Sequence, residues 1–112
     1  MKVIISSTGK DLESSVSNVF GRCPYFIIVE VKGSKIIDFK AIDNISANQV
    51  GGAGISAAQA VAEKGAEAVI TGNVGPRASD VLKQFKIKVY AGTGTVKNAV
   101  QLLIKGKLKV IS

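Results

Sequence analysis

One stretch constrains this chain more than any other. Gly51 to Pro76 reads GGAGISAAQAVAEKGAEAVITGNVGP. A glycine cluster (Gly51, Gly52, Gly54) opens it, and an alanine-rich run from Ile55 to Lys64 follows. Alanine is the best helix former. Ile55, Ala58 and Val61–Ala62 recur at helical spacing and give that helix a face to bury. Gly65 ends it, with Lys64 in the last turn where the helix dipole favours a cation. Ala68, Val69 and Ile70 make a short apolar strand. Thr71–Gly75 then turns the chain into a second helix, and Pro76 suits its first position. Helix, strand, glycine loop and helix in this order are the centre of an α/β layer structure. Two helix N-termini are left free to receive an anion.

The rest of the chain supplies more strands. Lys2–Ser6 is a continuous apolar run suited to a central strand, and Ser6–Gly9 is a polar loop. Asp11–Phe20 is ambiguous: Leu12, Val16 and Val19–Phe20 have helical spacing, but serines compete with the helix backbone. Gly21–Pro24 breaks the chain. Tyr25–Val31 and Lys35–Ile42 are strands joined by a tight hairpin at Gly33-Ser34. Asp43–Val50 is a polar connector. Beyond Pro76 the helix runs to about Phe85, Ile87–Tyr90 is a strand, and Gly92–Thr95 is a third glycine loop. Thr95 is the N-cap of a last helix, Val96–Ile104. Lys107–Ser112 is a basic tail or a short strand.

These elements predict one domain over residues 1–112, with an antiparallel meander followed by strands parallel to the first. Ligands in open α/β sheets bind beyond the carboxyl ends of the strands. That rule gathers Ser6, the Arg22–Cys23 turn, Thr71–Gly75 and Gly92–Thr93 on one rim, facing Gly52 and Gly54.

Three segments carry a family resemblance: Val16–Phe26 (VSNVFGRCPYF), Gly52-Ala53-Gly54-Ile55, and Ala68–Pro76 (AVITGNVGP). Together with Gly92–Val96, and in this order, they resemble the dinitrogenase iron-molybdenum cofactor biosynthesis family. The resemblance implies a ribonuclease H-like fold, a five-stranded mixed sheet packed with about three helices. It also implies a non-catalytic carrier of an iron-sulfur or iron-molybdenum type cluster or its precursor, working with a cluster-delivery protein. The chain departs from some carriers of the family in having no histidine. Gln49, Val50 and Gly51 stand in the loop where those carriers place one.

The residues themselves allow two readings of the rim. Thirteen of the fifteen basic residues are lysine, and both arginines, Arg22 and Arg77, adjoin glycine loops. A guanidinium offers a rigid fork of donors to an anion, whereas it can equally brace a loop by bonding carbonyls. Cys23 is a soft metal ligand whose thiolate a neighbouring Arg22 would favour, or else a small buried thiol. The candidate ligand-binding residues are therefore Ser6, Arg22, Gly52, Gly54, Thr71, Gly72, Asn73, Gly75, Arg77, Gly92 and Thr93, with Cys23 as the candidate metal ligand. The glycines at 51, 52, 54, 72, 75, 92 and 94 permit positive φ and close ligand approach, or serve as plain turn residues at three helix starts. The cargo is a metallocluster on one reading, and on the other a small anion or a protein partner with no metal.

Other functions are excluded or disfavoured. Residues 57–112 carry nine basic and three acidic side chains, against six and five in residues 1–56, summing to the net charge of +7. No aromatic residues interleave with the lysines to stack bases, so a solvated surface is expected rather than a nucleic-acid interface. Two-metal nuclease chemistry needs clustered carboxylates. The eight acids are scattered and none lies on Lys2–Ser7. With no histidine and one cysteine, the usual nucleophile–base pairs are missing, so no enzymatic activity is expected. No segment has the roughly 20 apolar residues that span a membrane, and no signal peptide precedes the first strand, so a cytoplasmic location is expected.

Overall fold

The computed structural model describes all 112 residues. Five strands, β1 (Lys2–Ser7), β2 (Tyr25–Lys32), β3 (Lys35–Asp43), β4 (Ala68–Thr71) and β5 (Lys88–Ala91), form one sheet in the order β3-β2-β1-β4-β5. The pairs β1–β2 and β2–β3 are antiparallel, while β4 runs parallel to β1 and β5 parallel to β4. The fold is thus α/β with a mixed five-stranded sheet and three helices, α1 (Ala53–Glu63), α2 (Pro76–Gln84) and α3 (Val96–Ile104).

Alternation along the central strand builds a core on each face. Ile4 of β1 and Val69 of β4 pack with Ala57, Ala58 and Val61 of α1 and with Ala78 and Leu82 of α2. Val3, Ile5 and Ile70 point the other way, onto Val96, Ala99 and Val100 of α3. So α1 and α2 cover one face and α3 covers the other. β1 and β4 are buried on both sides, which explains their unbroken apolar runs.

Helix ends follow local chemistry. Gly65 (φ 81°) ends α1 in the left-handed region, and Pro76 occupies the first turn of α2. Thr95 caps α3, its side chain accepting a hydrogen bond from the Asn98 amide at 3.1 Å. α1 begins at Ala53, two residues before the expected Ile55, because its N-cap Gly52 has φ 70°. The ambiguous segment 11–20 is not helical. Its backbone is stitched crosswise: Ser17 N–H to Ser6 O (2.8 Å), Val16 N–H to Gly94 O (2.8 Å), and Gly72 N–H to Ser17 O (3.0 Å). Residues 15–18 therefore cross the carboxyl ends of β1 and β4. The C-terminal segment pairs with the outer side of β5, through Ala91 N–H to Lys109 O (2.9 Å) and Val89 N–H to Ser112 O (3.0 Å). No helix is long and apolar enough to cross a membrane.

Candidate functional site

The largest cavity, about 460 Å³, lies where α1 and α2 begin. Its walls are Val19–Arg22, Gly52–Ile55 and Asn73 with Gly75–Ala78. Close packing brings these three segments together. A Cβ on Gly21 would sit 2.8 Å from the Gly54 backbone, and one on Gly54 would lie 3.4 Å from Ala78 Cβ. Small residues at these positions let a turn and two helix ends meet.

Both helices open with bare N-termini. Gly52 and Gly75 are the N-caps, and neither helix has a side-chain cap or an acidic residue in its first turn. The first amides of a helix have no intrahelical acceptor. Here these are the N–H groups of Ala53, Gly54 and Ile55 on α1, and of Arg77 and Ala78 on α2, where Pro76 has none to give. All five residues line the cavity. Together with the two helix dipoles they favour an anion.

The arginines divide between the two sequence readings. Arg22 Nη1 donates to Ala47 O at 2.9 Å and to Gln49 O at 2.8 Å, so this side chain braces the loop that leads into α1. Its Nε and Nη2 donors make no bond within the chain, and Arg22 is one of the residues that line the cavity. Arg77 is exposed and has no carboxylate partner; the only ion pair in the chain joins the Met1 amino group to Glu30.

Six of the twelve residues singled out in the sequence meet at this cavity: Arg22, Gly52, Gly54, Asn73, Gly75 and Arg77. The others lie elsewhere. Ser6 and Thr71 are fully buried, and Ser6 Oγ donates to Thr71 Oγ1 at 2.7 Å, tying β1 to β4 beneath the rim. Gly72 is a packing glycine, since a Cβ there would stand 2.6 Å from Asn18 Cα. Its φ is not positive, nor are those of Gly51, Gly54, Gly75 and Gly92. Of the loop glycines at 51, 52, 54, 72, 75, 92 and 94, all of which permit positive φ, only Gly52 and Gly94 adopt it. Gly92 is buried, with Ile70 Cγ2 2.4 Å from where its Cβ would be. Thr93 is exposed, but its loop leads to α3 on the opposite sheet face, and segment 15–18 crosses between that loop and the cavity.

Cys23 requires the clearest correction. It is fully buried in the core beneath α1 and α2, and its thiol donates to Phe20 O at 3.2 Å. Burial pushes its pKa up from 9.0 to about 11, outweighing hydrogen bonds from the Ser7 backbone and the Asn44 side chain that lower it. The expected activation by Arg22 does not occur, because that guanidinium turns outward to residues 47 and 49. A buried, protonated thiol is a poor metal ligand.

Asn44 escaped sequence reasoning. Its side-chain amide donates to Gly21 O (3.0 Å) and Cys23 O (2.8 Å), and its carbonyl accepts from the Ser46 amide (3.1 Å). It fixes the Arg22 turn against the loop that Arg22 braces. Nothing in a polar connector marks one asparagine as this anchor. Val19, Phe20 and Gly21, which line the cavity, were legible only as part of the Val16–Phe26 motif.

Comparison with known proteins adds a family to this geometry. The family model described as dinitrogenase iron-molybdenum cofactor matches residues 1–106. The chain belongs to this family. The uncharacterized protein MJ0580 of Methanocaldococcus jannaschii is 38% identical over 91 residues, covering 80% of this chain and 77% of its own. Among solved structures, the apo form of the orange protein from Desulfovibrio gigas superposes with a TM-score of 0.91 at 32% identity, covering 99% of this chain and 92% of that one. A Thermotoga protein provisionally described as a NifB protein gives 0.82 at 36% identity, with 98% and 92% covered.

Proposed function

We propose that this family member is a non-catalytic carrier for an anionic metal–sulfur cluster, of the iron-sulfur or iron-molybdenum type or a precursor, held at the glycine-lined cavity between α1 and α2. The family assignment supports a cofactor-related cargo. The orange protein supports it too, since an apo form presupposes a loaded one. The sheet order, with β1–β3 antiparallel and β4 and β5 parallel to β1, supports reading the fold as ribonuclease H-like.

The residues present decide how such a cargo is held. No cavity-lining residue is His, Cys, Asp or Glu, and no group of three such residues occurs in the chain. The site does not fit a cluster fastened by protein–metal bonds. It fits one fastened from outside, with sulfide or carboxylate edges accepting hydrogen bonds from helix amides and guanidinium forks. The single observation that carries this reading is the convergence of two uncapped helix N-termini with Arg22 and Arg77 on one cavity. A cargo held without metal–protein bonds is also readily passed on. The apolar Ile45 and Val50, 90% and 102% exposed on the loop that Arg22 braces, are the surface we assign to a delivery partner.

Anaerobic incubation with isolated iron-molybdenum cofactor, or with iron and sulfide, followed by gel filtration tests the proposal. Metal should co-elute with the protein, less of it in Arg77→Gln, and retention should fall as salt rises. Absence of metal in the protein peak under every condition would overturn it. The lack of a soft ligand at the cavity favours a second reading, a module for a small anion without metal. Phosphate-induced shifts at the Arg77 and Ala78 amides, with no cluster retained, would select that one.

A further inference from the structure

We propose that the protein pairs with a second copy of itself along β3, antiparallel about Phe39, making one continuous ten-stranded sheet. The two sheet edges are treated differently. β5 is covered by the C-terminal segment, with Ala91 N–H on Lys109 O, Val89 N–H on Ser112 O and Ile111 N–H on Val89 O. β3 is nine residues long and pairs only with β2. Its outer edge carries two exposed apolar side chains, Ile37 (56%) and Phe39 (42%). An open, apolar strand edge is a template for another strand.

The amides and charges of this edge suit its own copy. Phe39 N–H donates to Asp38 Oδ1 of its neighbour at 2.9 Å instead of joining the β2 ladder, so it faces outward. Residues 37–41 read Ile-Asp-Phe-Lys-Ala. Antiparallel pairing centred on Phe39 sets Phe39 against the partner's Phe39, Asp38 against the partner's Lys40, and Ile37 against the partner's Ala41. Asp38 and Lys40 share a sheet face, lying across the ladder from Glu30 and Ile28. Two opposite-charge pairs therefore form, one on each side of the two-fold axis.

The isolated chain leaves these charges badly placed. Asp38 lies directly opposite Glu30, a like charge, and neither Asp38 nor Lys40 has an ion-pair partner. A second copy supplies the missing cation. Lysines and bulges on an edge strand ordinarily discourage pairing. The bulge here, between Glu30 and Val31, leaves Ile37 as the extra residue of β3, so it falls at one end of the five-residue pairing and leaves Asp38–Ala41 in regular register. Lys40 meets an aspartate in this register, so it selects an identical strand instead of repelling it. One strand pair buries well under the roughly 1,000 Å² of a stable interface, so the dimer is weak and concentration-dependent.

Sedimentation velocity over a micromolar-to-millimolar series reads this directly. Mass should rise with concentration from 11.6 kDa toward twice that value. K40D and D38K should each weaken association at least tenfold, because like charges then face each other across the axis. An equimolar mixture of the two, and the double swap D38K/K40D, should each restore it. A single species of monomer mass throughout would overturn the proposal, as would a dimer indifferent to both single substitutions.

Discussion

Two of the glycine loops that precede helices in this molecule do different things. Gly72–Gly75 leads to α2 and Gly92–Thr95 to α3, from the ends of neighbouring parallel strands. The sequences look interchangeable, each a glycine-rich turn before a helix. At α2 the N-cap is Gly75, without a side-chain cap, and the first amides open on the cavity. At α3 the N-cap is Thr95, whose hydroxyl accepts from the Asn98 amide. Segment 14–16 takes more of that loop, with Val16 N–H on Gly94 O and Val96 N–H on Ser14 O. A helix N-terminus is available to a ligand only where the chain has not already filled it.

Substitutions that exchange these properties test the contrast. The largest effect is expected at Gly72, where a Cβ meets the Asn18 backbone, which cannot retreat as a side-chain tip could. Gly72→Ala should destabilise by about 3 kcal/mol in denaturant unfolding, an overpacking cost. The cause is steric crowding and not a left-handed φ.

Gly75→Asp gives the contrast its sharpest form. Gly75 already has extended backbone (φ −72°, ψ 162°) suited to a capping side chain. The substitution should stabilise the fold by about 0.5–1 kcal/mol while lowering cluster or anion affinity roughly tenfold, because the carboxylate occupies the amides first. Opposite signs in thermal denaturation and binding are the signature. The mirror change, Thr95→Ala, should cost about 1 kcal/mol and leave binding unaltered.

The smallest effect on binding belongs to Cys23. Cys23→Ala should change cluster uptake less than twofold, since the thiol lies beneath the cavity floor and stays protonated. Its pH linkage has a definite sign. The folded pKa is raised from 9.0 to about 11, so the neutral thiol is favoured by folding. That contribution is complete below pH 9.0 and declines as pH rises toward about 11. Unfolding curves between those values should be steeper in pH for the wild type than for Cys23→Ala.

Much of the fold was legible because local signals agreed. Pro76 started α2, Gly65 ended α1 and Thr95 capped α3, as their chemistry requires. Asp11–Phe20 was not legible, because its conformation depends on bonds to Ser6, Gly72 and Gly94, residues distant in sequence. The same segment explains why the rim was only half read. Strand direction brings five loops to one edge, but direction does not reveal that residues 15–18 cross it. Arg22 and Cys23 adjoin in the chain, yet a strand entry sends one side chain outward to Ala47 and the other into the core. Adjacency in sequence suggested a pair, and the turn at Gly21–Pro24 separates them.

The central claim is that anionic cargo is held by the bare helix starts at Gly52 and Gly75 without a bond from protein to metal. Amide NMR during anaerobic addition of iron-molybdenum cofactor tests it most directly. The account predicts loss or shift of the Ala53, Gly54, Ile55, Arg77 and Ala78 signals, while Gly94–Asn98 stay in place, in the wild type and in Cys23→Ala alike. Perturbation centred on Gly92–Thr95, or a response that vanishes in Cys23→Ala, would contradict it.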